Sequence, residues 1–157
     1  MPPAIKTPPL DDHVARAAAA GDLDLIKKFI LQDGIDIAGK PDILHWAAVF
    51  TRPCWYQEGY DVSRHVAMIQ YLIEQGANVR GVMKERVYDE DGDETEEVRD
   101  RGTVLDEILM PGNDSWRAAE RRQALSPIVD VIVKELERIK EKPKGWWPEG
   151  WPTPFSK

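Results

Sequence analysis

Two stretches of the chain share one grammar: small residues, a polar break, an amphipathic helix and a glycine stop. The first runs from Ala17-Ala18-Ala19-Ala20 through Gly21-Asp22 to Gly34. The second opens at Ile43-Leu44-His45-Trp46-Ala47-Ala48 and resumes from Met68 to Val79. Leu25, Ile26, Phe29 and Ile30 recur at three- and four-residue spacing, which predicts one buried stripe. Gly34 predicts a C-terminal glycine cap. In the second copy Val66, Ile69, Leu72 and Ile73 share one face of a helix expected from about Val62 to Gln75, stopped by Gly76. A helix pair this short cannot bury its apolar face alone and has to stack on a neighbour.

The motif Leu44-His45-x-Ala47-Ala48, followed by Leu72-Ile73-x-x-Gly76-Ala77-Asn78-Val79, resembles the ankyrin-repeat family. Gly102-Thr103-Val104-Leu105-Asp106 resembles the opening of a further repeat, with Val104 in place of the family's proline and Asp106 in place of its histidine. The likeness spans roughly residues 12–110. It implies an all-α fold: a stack of about three helix-turn-helix repeats with a long β-hairpin finger and an irregular aromatic C-terminal tail. Leu44 and Leu105 would then occupy successive layers of one spine. It also implies a concave face on which Arg16, Trp46 and Glu107 form a row that meets a partner. Trp46 is either a binding anchor there or a residue covered by a neighbouring segment. The family histidine, here His45, makes structural hydrogen bonds, and stacking would bring Asp106 near it.

The chain divides into a proline-rich arm (1–10), one repeat domain (11–142) and a Trp/Pro-rich tail (143–157) expected to dock on the domain. Two insertions interrupt the domain. Residues 51–63 carry Cys54, Trp55, Tyr56 and Tyr60. Residues 80–102 contain Asp-Gly flanked by residues of moderate β propensity, a hairpin signal. Beyond Val104–Leu109, a helix is expected over Trp116–Leu125, capped by Asp114 or Ser115. Ser126-Pro127 predicts a fresh start for the last helix.

A net charge of −7 disfavours nucleic acid and anionic membrane as partners and fits a basic protein. With Cys54 as the one cysteine, no internal disulfide and no cysteine-based metal site is available. No apolar run reaches membrane-spanning length, and the N-terminal residues do not read as a secretory signal, so a cytoplasmic or nuclear protein is expected. Asp89, Asp91 and Asp93 alternate, but Gly92 comes too early for a calcium loop, so a solvated hairpin tip is the simpler reading. No phosphate loop or dinucleotide glycine pattern is present, and neither a metal nor another cofactor is expected.

Three functions suit these features. The first is a protein-interaction module that binds through its concave face and fingers, with contacts from Arg16, Trp46, Trp55, Tyr56 and Glu107. Trp146, Trp147 and Trp151 of the tail supply further contacts. The second is a small cofactor-independent isomerase, cyclase or hydrolase for a hydrophobic small molecule. Its aromatic pocket would be closed by the 51–63 loop and the tail. Its acid–base candidates are His45 and Asp106, with His65, Asp61 or Tyr56. The third is an acidic inhibitor or immunity-type protein. His65 and His13 read more simply as a solvated helix-start residue and a turn residue. Cys54 reads more simply as a buried cysteine than as a nucleophile.

Overall fold

Asp22 and Gly34 bracket the first amphipathic helix as their chemistry predicts. The computed structural model describes residues 12–40, 42–109, 117–139 and Trp151. Helix α1 spans Asp12–Ala20 and α2 spans Leu23–Asp33. The Asp22 carboxylate accepts the Leu25 N–H at 3.2 Å, satisfying one orphan donor of α2. Gly34 ends that helix at φ 67°, where a side chain would be strained. Helix α3 spans Asp42–Ala48 and α4 spans Val62–Glu74, the latter capped by Asp61 through the Ser63 N–H at 3.0 Å.

Strands β1 (Met83–Tyr88) and β2 (Glu94–Gly102) form a two-stranded antiparallel sheet. Helix α5 (Val104–Ile108) follows at once. Its start is a capping box: Thr103 Oγ1 accepts from the Asp106 N–H, and Asp106 Oδ2 accepts from the Thr103 N–H. Helix α6 runs from Ala118 to Arg138.

The helices pack in two rows. Helix α3 lies between α1 and α5, and α4 lies between α2 and α6. The core fills the space between the rows, from Val14, Ala18 and Ile26 through Leu44, Ile69 and Leu72 to Leu105, Ile128 and Ile132. Alanines at 15, 17, 18 and 19 are buried on α1, the helix most closely packed against α3. Leu44 and Leu105 both belong to this one core.

Several expectations are corrected. The all-α ankyrin-like class does not hold, because β1 and β2 pair as strands and the architecture mixes helices with an antiparallel sheet. No break occurs at Ser126-Pro127. Pro127 lies on the exposed side of α6, where its missing N–H is tolerated and the helix continues. The stripe of α2 is narrower than its period suggests, with Ile26 buried and Leu25, Phe29 and Ile30 half-buried. The proline-rich arm, the cap at Asp114 or Ser115, and Trp146 and Trp147 lie outside the described residues.

Candidate functional site

The hairpin owes its shape to its turn. Asp89 Oδ1 accepts the N–H groups of Asp91 and Asp93, each at 2.9 Å, and the Asp93 carbonyl accepts the Asp89 N–H at 2.9 Å. Gly92 sits at φ 83°, the left-handed conformation this turn requires. One carboxylate thus organises the loop, and the acidic side chains around it stay exposed. Residues 89–97 hold seven acidic residues and no basic one. Nine acidic and four basic residues between Met83 and Gly102 give the finger a net charge of −5 out of the chain's −7. Tyr88, 61% exposed, and Val98, 43% exposed, add apolar surface to it. Lys84 and Asp100 pair across the strands at 2.7 Å.

The root of the finger is tied to the helices. His45 is fully buried, and its Nε2 lies 3.1 Å from the Gly102 carbonyl oxygen. A carbonyl only accepts, so this nitrogen carries the hydrogen. Glu107 Oε1 lies 3.9 Å from the same nitrogen, with the residue 4% exposed. Burial pushes the nearby Asp42 carboxyl up, against the opposing pull of His45 and Lys40. Glu107 is therefore not a member of an exposed recognition row. Asp106 commits its carboxylate to the capping box, and Glu107 is the acid whose carboxylate oxygen lies 3.9 Å from the His45 ring.

His65 is not a solvated helix-start residue either. It is 1% exposed, with Nε2 2.8 Å from the Ala19 carbonyl and Nδ1 3.2 Å from the Asp61 carbonyl. Tyr60 stacks on it with ring centroids 5.5 Å apart. Burial and the neighbouring Asp61 charge push the Tyr60 hydroxyl up to about 12. Asp61 itself is held below its ordinary carboxylate range by the Ser63 hydroxyl and N–H, with smaller pulls from Arg64 and His65. The acid–base candidates are thus dispersed: His45 and Asp106 at the α3–α5 junction, His65 and Asp61 where α4 meets the end of α1, and Tyr56 beside Trp55.

The 51–63 segment is held in place by Arg52 N–H to Ala19 O at 2.8 Å and by Cys54 N–H to Gln57 Oε1 at 2.7 Å. Cys54 is half-buried, with the Arg52 guanidinium 3.8 Å from its sulfur. Trp55 and Tyr56 meet edge to face at 5.3 Å, and Arg117 lies over the Trp55 ring at 5.6 Å. Together with Glu58 and Glu120 they line an open groove of about 410 Å³. Trp46 instead packs on Phe50 at 5.2 Å, and Arg16 is exposed on α1. The loop and Trp46 do not contribute jointly to this groove.

Trp151 is 4% exposed and belongs to the core. Arg121, itself buried, lies over its ring at 5.6 Å and donates to the Ile108 carbonyl at 2.6 Å. The roles of Arg117 and Arg121 were not legible beforehand. Their aromatic partners lie far away in sequence, and an arginine in an amphipathic helix looks like a solvated one.

Comparison with family models, with curated proteins and with solved structures returned no match. No group of three or more His, Cys, Asp or Glu side chains among the described residues could hold a metal ion. No described helix is long and apolar enough to cross a membrane.

Proposed function

We propose that this chain is a protein-interaction module that offers its hairpin finger to a basic partner protein. The observation that carries this reading is the distal half of the finger: seven acidic residues, no base, and a turn in which Asp89 makes the internal bonds while Glu90, Asp91 and Asp93 are exposed. Such a field steers an oppositely charged partner and speeds encounter. Tyr88 and Val98 give the docked partner apolar surface to cover. The likeness of the Leu44-His45-x-Ala47-Ala48 motif to the ankyrin family points the same way, since partner holding is what that resemblance implies. Arg16 on α1 and Trp46 on α3 are secondary contacts.

The enzyme alternative required His45 and Asp106, with His65, Asp61 or Tyr56, to face one pocket. His45 and His65 are buried against backbone carbonyls instead, and of these candidates Tyr56 alone lines the open groove. The inhibitor reading shares the acidic finger and is a special case of the proposal.

The test neutralises the tip as Asp91→Asn, Asp93→Asn, Glu94→Gln, Glu96→Gln and Glu97→Gln, sparing Asp89 because it builds the turn. Proteins captured by the native chain are purified and re-bound to native and neutralised chains at low and high salt. A basic partner whose affinity falls at least ten-fold on neutralisation, and likewise with salt, supports the proposal. A partner bound equally by both chains refutes it.

A further inference from the structure

The two edges of the finger are not alike. Met83 faces Gly102 while Lys84 faces Asp100, and Arg86 faces Val98 while Tyr88 faces Glu94. At both irregularities the extra residues belong to β2. Strand β2 is therefore bulged, and bulges bend an edge away from further pairing. Strand β1 carries no extra residue at either irregularity and pairs through Met83, Lys84, Glu85, Arg86 and Tyr88. Among the described residues the sheet has two strands, so the outer edge of β1 has no strand beside it. The Val87 carbonyl turns inward, accepting Thr95 Oγ1 at 2.7 Å. Alternation along a strand then turns the peptide groups of Lys84, Arg86 and Tyr88 outward.

We infer that the outer edge of β1 receives an extended basic segment of the partner as a third strand. The segment is held by the peptide groups of Lys84, Arg86 and Tyr88, and its basic residues lie beside the Asp89–Asp93 turn. This deepens the interaction-module reading and rests on it. Strand addition draws affinity from main-chain hydrogen bonds and specificity from alternate side chains. The charge at the turn end selects the occupant: lysine or arginine there meets the acidic tip and the exposed Tyr88 ring, which can accept a cation on its face. A second copy of this chain is the poorer occupant, because its finger brings the same net charge of −5 against this one. Lys84 on the receiving strand does not repel the segment strongly, being paired with Asp100.

The experiment uses the full chain, isotopically labelled, and a synthetic peptide of alternating threonine and valine with a lysine–arginine cluster at one end. A second peptide has the same sequence with alternate backbone amides N-methylated, which preserves charge and removes main-chain donors. The expected result is binding of the first peptide, slowed hydrogen exchange at the Lys84, Arg86 and Tyr88 amides, and at least ten-fold weaker binding of the methylated peptide. Equal binding of both peptides overturns strand addition and leaves only charge attraction. Protection of β2 rather than β1 overturns the choice of edge. Concentration-dependent dimerisation that protects the same amides overturns the choice of a basic segment. Failure of the first peptide to bind also overturns the inference. The interaction-module reading survives each of these results if tip neutralisation still releases the purified partner, and falls separately if it does not.

Discussion

Replacing Trp151 tests whether the tail is part of the fold. A buried tryptophan removes roughly 150–250 Å² from water, which at about 25 cal/mol per Å² amounts to about 4–6 kcal/mol. Trp151 is nearly fully buried, so most of that area is engaged. Trp151→Ala will not lose the whole amount. Position 151 can come away from α6 instead of leaving a cavity, and it then regains conformational entropy of about 1–2 kcal/mol. The expected loss is about 2–4 kcal/mol, or roughly 5–15 °C in Tm for a domain of this size. Trp151→Phe separates packing from polarity. The indole Nε1 is buried without a hydrogen-bond partner among the described residues, so losing it removes a desolvated donor and no bond. Phenylalanine keeps a ring for the Arg121 guanidinium and should cost less than half as much as alanine. Equilibrium unfolding in urea, with α6 helicity and core fluorescence followed together, gives both values. A loss below about 0.5 kcal/mol for Trp151→Ala would refute docking of the tail against the core. Equal losses for the two variants would refute the packing argument.

Two further outcomes follow from the joints. Tyr60 has a folded pKa of about 12, above its ordinary value of 10, so its contribution to stability is complete below pH 10 and is lost as pH rises toward 12. Tyr60→Phe should leave stability near neutral pH unchanged or slightly raised, since the buried hydroxyl has no partner among the described residues, and should flatten the alkaline loss. Urea titrations at several alkaline pH values check this, with parallel alkaline curves for the two proteins counting against it. His45→Ala should cost roughly 2–4 kcal/mol through a cavity and a stranded Gly102 carbonyl. Hydrogen exchange should quicken at the Gly102 and Thr103 amides more than at those of α2, and uniform quickening would mean that His45 does not anchor the finger.

What the sequence revealed depended on range. Signals complete within a few residues were legible: the Gly34 stop, the Thr103 opening of α5 and the Asp-Gly hairpin. Burial set by distant partners was not. His65 follows a helix start and reads as solvated until Ala19, from another helix, comes to its ring. Glu107 and Asp106 are neighbours in sequence, and a capping box turns one outward while the helix period turns the other toward His45. Ser126-Pro127 has the chemistry of a helix start, yet burial of Leu125, Ile128, Val129 and Ile132 on either side keeps one helix through it. Tertiary burial outweighed the local signal there.

The same joints bear on how the acidic finger works. A two-stranded hairpin has little stability of its own, and one attached only by its chain ends would lose entropy each time a partner ordered it. This finger is fixed at its base by three adjacent features: the His45 bond to Gly102, the Thr103–Asp106 box that starts α5 at once, and the close fit around Gly102. A Cβ at Gly102, where φ is +99°, would meet the Asp106 Cβ at 2.9 Å, so glycine is what lets the strand turn directly into the helix. The rigid base holds the exposed edge of β1 and the acidic turn in one orientation relative to the helices. On the interaction-module proposal, ordering cost is then met in folding instead of in binding, which suits a finger with this much like charge to docking.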